Sequence, residues 1–228
     1  MKFHIDGIWR SLSWGCAFAG RPSIQIVMKD RSGQFDETPG RNTISFYGLI
    51  QLLDSSVKKL KLVQIHSVNF RPDGSIKSVG DPLTQEGIFP LVTHLLENIE
   101  NRVILHVNNC TDISMLDPRA NIVLIPFPPS SGKEKLNYWS NIEYLSDDGE
   151  ILFSVNAEED YQWMVSLLDR WHLPDRLTVH MAVHCSQKER QMWAKRLIRD
   201  NLGVHLLPET PFTPVPLKLD HSSRQPKT

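Results

Sequence analysis

Residues 11–41 read SLSWGCAFAGRPSIQIVMKDRSGQFDETPGR and give the strongest indication of the architecture of this chain. The part from Ala19 to Ser23 combines Gly with Pro and predicts a tight turn. The run from Ile24 to Met28 alternates and is rich in β-branched residues, which predicts a short strand. A polar stretch without cysteine follows from Lys29 to Glu37. The segment therefore predicts a turn, a strand and a polar loop in succession.

Strands and helices alternate along the rest of the chain. Apolar or β-prone runs predict strands over residues 2–10, 60–68, 102–108, 121–127, 151–155, 177–183 and 203–207. Helical spacing of apolar residues predicts helices over residues 43–59, 85–100, 157–171 and 186–201. Thr43 is the expected cap of the first helix, and Ser186 with Glu189 forms a capping box for the last. This alternation is typical of a mostly parallel α/β sheet, and periodicity alone leaves open whether the sheet is doubly wound or a partial barrel.

The length of 228 residues favours one domain, which we place at residues 1–207. Residues 69–77 contain Pro72-Asp73-Gly74 and predict either a hairpin-like excursion or a mobile flap. A proline-rich tail follows over residues 208–228, and its last eight residues are expected to be disordered.

The composition excludes several functional classes. Lys plus Arg (25) nearly equals Asp plus Glu (26), so no overall basic field predicts nucleic-acid binding. No apolar run approaches the roughly 18 residues of a membrane span, and the N-terminus lacks the apolar core of a signal peptide. The three cysteines are scattered and odd in number, which argues against a disulfide framework. These features predict a cytoplasmic protein without a membrane partner.

The first segment resembles 7-carboxy-7-deazaguanine synthase, a radical S-adenosylmethionine enzyme of the queuosine pathway. That family opens with S-L-Q-G-E-G, a short gap, A-G-R-P, a strand and a CxxxCxxC loop. Ser11 and Leu12 match the first motif, and the four residues from Ala19 to Pro22 match the second at the same spacing. The resemblance implies the partial (β/α) barrel of radical S-adenosylmethionine proteins, with a mostly parallel sheet.

The departures from this pattern concern the catalytic parts. The family's Q-G-E-G is replaced here by Ser13-Trp14-Gly15-Cys16, and no cysteine follows the strand. Thiolates hold an iron–sulfur cluster, and Cys16, Cys110 and Cys185 lie on three different predicted elements. We therefore expect no iron–sulfur cluster and no reductive cleavage of S-adenosylmethionine. The resemblance still implies that S-adenosylmethionine or a nucleoside is a candidate for residual binding.

Candidate ligand-binding residues follow the predicted strands, because parallel α/β folds bind ligands at the carboxyl ends of their strands. Gly80 and Asp81 resemble the family's G-E-P, which meets the amino group of S-adenosylmethionine; the alternative is an ordinary turn. Asn109 resembles the asparagine of E-T-N-G, and its alternative role is to cap the following turn. Lys133 falls near the family's S-P-K, which contacts the nucleoside.

The first segment supplies the remaining candidates, Leu12, Ser13, Trp14 and Arg21. Arg21 resembles the arginine of A-G-R-P, which in the family looks like the partner of the substrate carboxylate. Its alternative role is a surface or interface salt bridge. Trp14 either blocks the substrate space or offers a stacking face.

Histidines form the last group of candidates. His66, His106, His180 and His184 lie on or near the ends of predicted strands, where a mononuclear metal site is conceivable. No HxH, HExxH, GxSxG, Walker or GxGxxG motif accompanies them. Buried, hydrogen-bonded histidines are the more common outcome, so no metal is expected.

The sequence leaves three hypotheses about function. The first is a pseudoenzyme that binds a pterin, deazapurine or nucleoside, or a protein partner, as a homodimer or partner subunit. The second is a non-radical enzyme at the same barrel mouth, such as a metal-dependent hydrolase that uses Asp81, Asn109 and histidines. The third is a structural subunit of a larger complex.

Overall fold

The computed structural model describes residues 1–29, 43–57, 60–70, 76–98, 102–183, 186–207 and 215–216. The strands are β1 (Lys2–Leu12), β2 (Pro22–Met28), β3 (Thr43–Ser45), β4 (Leu62–His66), β5 (Val68–Phe70), β6 (Ile76–Val79), β7 (Arg102–Asn108), β8 (Asn121–Ile125), β9 (Glu150–Ser154), β10 (Thr178–Ala182), β11 (His205–Leu206) and β12 (Val215–Pro216). The helices are α1 (Phe46–Val57), α2 (Ile88–Asn98), α3 (Glu158–Trp171), α4 (Leu173–Arg176) and α5 (Gln187–Arg199). Short 3-10 helices cover Pro82–Thr84, Pro129–Ser131, Glu134–Leu136 and Trp139–Tyr144.

The order of the strands identifies a partial barrel. The main sheet runs β11-β10-β9-β8-β7-β4-β2-β1-β12, and β3 pairs with β1 beside this path. All neighbouring pairs from β2 to β11 are parallel and follow the chain in one direction. In a doubly wound sheet, the order in which successive strands are added changes direction part-way across the sheet, whereas in this sheet it keeps one direction. The predicted α/β partial barrel with a mostly parallel sheet is confirmed, and among the described strands it stays open between β11 and β12.

The parallel strands are buried on both faces. Alternate residues such as Val103, Leu105 and Val107 of β7 pack with the helices in the main core. Ile104, between them, belongs to a second cluster on the opposite side of the sheet. We call the helix-covered side the outer face and the other side the inner face. Because side chains alternate along a strand, every strand of the barrel supplies residues to both faces.

Two expected helix starts are wrong for identifiable reasons. Thr43 does not cap α1, because residues Thr43–Ser45 pair with β1 and the Ser45 hydroxyl accepts the N–H of Gly48 at 3.0 Å instead. α2 begins at Ile88 and not at Gln85, whose side chain bonds the backbone of His4 and Lys29. In both cases a contact with the N-terminal strand overrides local propensity.

Other local expectations are confirmed. The Ser186–Glu189 capping box is present at the start of α5, with Glu189 accepting the Ser186 N–H at 2.9 Å. β5 and β6 pair in an antiparallel manner, as in the hairpin-like alternative for residues 69–77, and residues 71–75 lie outside the described part.

The C-terminal tail contributes to the sheet. Val215 and Pro216, within the predicted tail, pair with Arg10 and Trp9 of β1. The last eight residues lie outside the described part, so the expectation of disorder there stays a prediction. Among the described helices, none is long and apolar enough to cross a bilayer.

Candidate functional site

The inner face of the sheet carries an unusual row of buried polar side chains. They alternate with apolar residues that pack on the outer face, such as Ile24 and Ile26 around Gln25. A polar group without hydrogen bonds is costly to bury, so such a row indicates a specific network or a binding site. The row includes Gln25 on β2, Gln64 and His66 on β4, His106 on β7, Glu150 on β9 and His180 on β10.

A loop of nine residues, Ser13–Arg21, covers this row, and we call it the inner loop. Its base is closed by backbone hydrogen bonds from Ser13 N–H to the Arg21 carbonyl and from Gly20 N–H to the Ser13 carbonyl, both 2.8 Å. Its side chains Trp14, Cys16 and Phe18 pack with the second apolar cluster. The inner loop therefore packs against the inner face of the sheet.

Glutamine side chains anchor the backbone of the inner loop. Gln64 donates to the Trp14 carbonyl at 2.7 Å and accepts the Trp14 N–H at 3.3 Å. Gln25 donates to the Leu12 carbonyl at 2.6 Å and to Gln64 Oε1 at 3.2 Å. These amides replace the ladder partners that an irregular segment would otherwise lack.

A buried acid anchors the far side of the inner loop. Glu150 Oε2 accepts the Ala17 N–H at 2.6 Å and lies 2.5 Å from His180 Nε2. Both side chains of the pair are 1% exposed. A third contact is steric, because a Cβ on Gly15, at φ +64°, would lie 2.9 Å from His106 Cε1. The loop thus fits the sheet closely as well as bonding to it.

The hydrogen bonds fix the tautomers of the two central histidines. The amide nitrogen of Gln64, which donates to the Trp14 carbonyl, can only donate. In its contact of 2.6 Å with His106 Nε2, the histidine nitrogen is therefore the acceptor. Gln25 Oε1 must accept from His66 Nε2 at 3.0 Å, because the amide nitrogen of Gln25 donates elsewhere. His106 therefore carries its proton on Nδ1 and His66 on Nε2.

Burial keeps these histidines neutral. Desolvation lowers the pKa of His66 to about 3. The pKa of His106 is lowered well below its usual range, first by desolvation and then by the charges of His66 and His180. At neutral pH both rings are uncharged hydrogen-bonding groups.

The candidates from the first segment lie at or near the amino-terminal edge of the parallel strands, since β2 begins directly after Arg21. Arg21 is exposed and its guanidinium lies 5.3 Å from the Phe18 ring centroid. The Ser13 hydroxyl donates to the Phe18 carbonyl, and Leu12 offers its carbonyl to Gln25. Trp14 reaches furthest inward, with its ring centroid 4.5 Å from that of His106 and 5.3 Å from that of His66.

The candidates at the carboxyl edge form a separate group. Asp81 is 2% exposed, and its carboxylate accepts the Leu83 N–H at 2.9 Å and the Thr111 hydroxyl at 2.7 Å. Asn109 is fully buried and accepts from Asn141 at 3.1 Å, while Asn141 also donates to the Thr111 carbonyl. Asp81 and Asn109 are thus brought together through Thr111.

The other candidates of this edge have simpler contacts. The Gly80 N–H donates to the Ser67 carbonyl at 2.8 Å, which fixes the backbone ahead of Asp81. The Lys133 ammonium lies 5.6 Å from the centroid of the Phe127 ring, an exposed cation–π contact. Roles in ligand binding for the carboxyl-edge candidates stay predictions.

Three of the four histidines considered as metal candidates are described, and these three do not gather at one point. The ring centroids of His66 and His106 are 6.3 Å apart, His180 pairs with Glu150, and His184 lies outside the described residues. In the part of the chain with described coordinates, no three His, Cys, Asp or Glu side chains converge in a way that could hold a metal ion.

The donor set does not fit the iron–sulfur cluster of the resembled family. Cys16 is buried in the inner loop, where desolvation and then the charge of Glu150 raise the pKa of its thiol to about 12. Cys110 is exposed beyond β7, and Cys185 lies outside the described residues. The sequence has no cysteine between Cys16 and Cys110, so the loop after β2 has no thiolate to offer.

The architecture has a solved counterpart. The crystal structure of QueE from Escherichia coli superposes with a TM-score of 0.68, covering 92% of this chain and 95% of that one. The chain shares its fold with that protein. QueE is the radical S-adenosylmethionine enzyme 7-carboxy-7-deazaguanine synthase, and the two sequences are 14% identical. No family model matches the sequence, and no curated protein matches it significantly.

Several residues of the inner face were missed at the level of sequence. Gln25 and Gln64 each interrupt an otherwise apolar strand, I-Q-I and V-Q-I, and a polar residue inside a strand buried on both faces is a usable signal. Glu150 gave no such signal, because it follows Asp147-Asp148-Gly149 and reads as the end of a polar turn.

Proposed function

We propose that this chain is a non-catalytic relative of 7-carboxy-7-deazaguanine synthase that acts by binding. Its ligand is a pterin, a deazapurine or a nucleoside-like heterocycle, or its partner is a protein. It works in the cytoplasm as a homodimer or as a partner subunit. The shared fold supports the relationship.

One observation carries the loss of radical chemistry. The enzymes that this chain resembles hold their cluster by three cysteines after the strand that follows A-G-R-P, and residues 17–109 contain none. The inner face supports the same proposal, because buried glutamines and Glu150 secure the inner loop within the barrel. The neutral, dehydrated imidazoles of His66 and His106 suit recognition of an uncharged aromatic ring better than general acid–base work at neutral pH.

A cluster-reconstitution experiment tests the loss of catalysis. The purified chain and QueE from Escherichia coli are incubated anaerobically with iron and sulfide, and bound iron and 5′-deoxyadenosine formation are measured. We expect QueE to take up iron and to cleave S-adenosylmethionine, and this chain to do neither. Stoichiometric iron with cleavage of S-adenosylmethionine would refute the proposal.

A second measurement tests binding. Thermal unfolding is followed with S-adenosylmethionine, a carboxypterin and a deazapurine, because a ligand of the folded state raises the melting temperature by mass action. A concentration-dependent rise with one of them supports the small-ligand branch. Absence of any rise, together with a stable heteromeric complex in pull-down and light scattering, supports the partner branch.

A further inference from the structure

The ring of Trp14 lies in an environment of the kind that binds a heterocyclic ligand. Its centroid is 4.5 Å from that of His106 at an interplanar angle of 39°, and 5.3 Å from that of His66 at 85°. The indole thus meets one imidazole in a tilted stack and the other edge to face. Both arrangements are favourable for aromatic rings at these separations.

The inner loop is anchored by groups other than this side chain. Gln64 bonds the Trp14 backbone at both its N–H and its carbonyl, and Glu150 bonds the Ala17 N–H. Backbone bonds at Ser13 and Gly20 close the base of the loop. None of these hydrogen bonds uses the indole ring, so Trp14→Ala keeps all of their donors and acceptors.

The walls of the space that the indole occupies favour an uncharged ligand. His66 is fully buried and His106 is 2% exposed, and burial lowers the pKa of both rings, so they are neutral. An anionic guest would lose its hydration against these walls and would meet the buried acid Glu150 on the same face, whereas a neutral planar guest would not. Trp14 itself is only half-buried, so the space reaches the surface on one side.

We propose that the inner face carries a binding site for a neutral planar heterocycle of one or two fused rings, bounded by His66, His106 and the inner loop, and that Trp14 is its built-in occupant. A ligand of this class binds in the barrel only when the indole swings out or is absent. The inference deepens the proposed binding function and rests on it for its biological meaning, since it names the site and the gate.

The test removes the Trp14 side chain and supplies the same ring system from solution. Trp14→Ala removes the indole, and Trp163→Ala is the matched control, because Trp163 is also a half-buried indole but packs against Phe153 and Trp139 on the outer face. Indole is the probe, and indole-3-acetate is the same ring system with a negative charge. Binding is measured by isothermal and differential scanning calorimetry.

We expect indole at ten times its dissociation constant to raise the melting temperature of Trp14→Ala by about 3–6 °C. Trp163→Ala and the unsubstituted protein should not shift, and indole-3-acetate should bind Trp14→Ala at least about tenfold more weakly. If Trp14→Ala folds only when indole is present during refolding, the inference is supported equally. No rescue of Trp14→Ala in either format, or an equal shift in the unsubstituted protein, overturns it.

These outcomes are separate from those of the reconstitution experiment. If the chain assembled a working cluster and Trp14→Ala also bound indole, the proposed function would be refuted and the proposed site supported. If the chain assembled no cluster and Trp14→Ala did not bind indole, the proposed function would stand and the proposed site would be refuted.

Discussion

The two buried histidines of the inner face predict an acid-sensitive fold. Their pKa values lie below the ordinary value of 6.5, that of His66 at about 3, while in the unfolded chain both return to it. Between about pH 3 and 6.5 the unfolded state therefore binds more protons, and stability falls as the pH falls. Well above pH 6.5 neither state is protonated at these positions, and their contribution becomes constant.

The magnitude follows from proton linkage. At pH 5.5, one unit below the unfolded pKa, each histidine that stays neutral in the folded state costs about 1.4 kcal/mol of stability relative to pH 8, and the pair costs about 3 kcal/mol. The control is the double variant His66→Gln and His106→Gln. Glutamine retains a donor for Gln25 and an acceptor for Gln64, and it does not titrate.

Urea unfolding at pH 8.0, 7.0, 6.0 and 5.5 checks this prediction. The difference in unfolding free energy between the unsubstituted protein and the double variant should change by about 3 kcal/mol across the series. The remaining histidines are common to both proteins and cancel. If the unfolding free energies of the two proteins changed with pH in the same way, the two imidazoles would titrate normally in the folded state. That result would refute the burial argument.

Three further substitutions follow from single contacts. Asp160→Ala removes a buried carboxylate that accepts from Ser130 twice and from the N–H groups of residues 156 and 157; we expect a loss of about 3 kcal/mol in urea unfolding, and no loss would contradict its role. Gly15→Ala should cost about 2 kcal/mol more than Gly20→Ala, since both have positive φ but only Gly15 approaches His106; equal melting temperatures would argue against the close fit. Ser186→Ala should cost about 1 kcal/mol and lower the helix content at the start of α5, read by amide exchange against Ser166→Ala as control.

Much of the architecture could be predicted because it is encoded locally. Strand β7 occupies Arg102–Asn108 as expected, and the Ser186–Glu189 box begins α5. Both depend on residues within one element, where periodicity and capping act. The order of the strands is not local, and only the resemblance in the first segment favoured the partial barrel over a doubly wound sheet.

The candidate site was less accessible to sequence reasoning. Trp14 was recognised as the residue that either blocks or lines the pocket, and its contacts with His66 and His106 place it within the barrel. Its anchor Glu150 could not be found, because its partner Ala17 is 133 residues away and no local pattern links them. Long-range polar contacts of this kind depend on register and curvature, which a single sequence does not display.

The long sequence separation of the Ala17–Glu150 hydrogen bond constrains how the molecule is assembled. The parallel strands from β2 to β11 lie across the sheet in the order of the chain, so β1, β2 and β4 are synthesised well before β9. The anchor at Glu150 becomes available only when β9 joins the sheet. Residues near the N-terminus are thus synthesised among the first and complete their native contacts among the last.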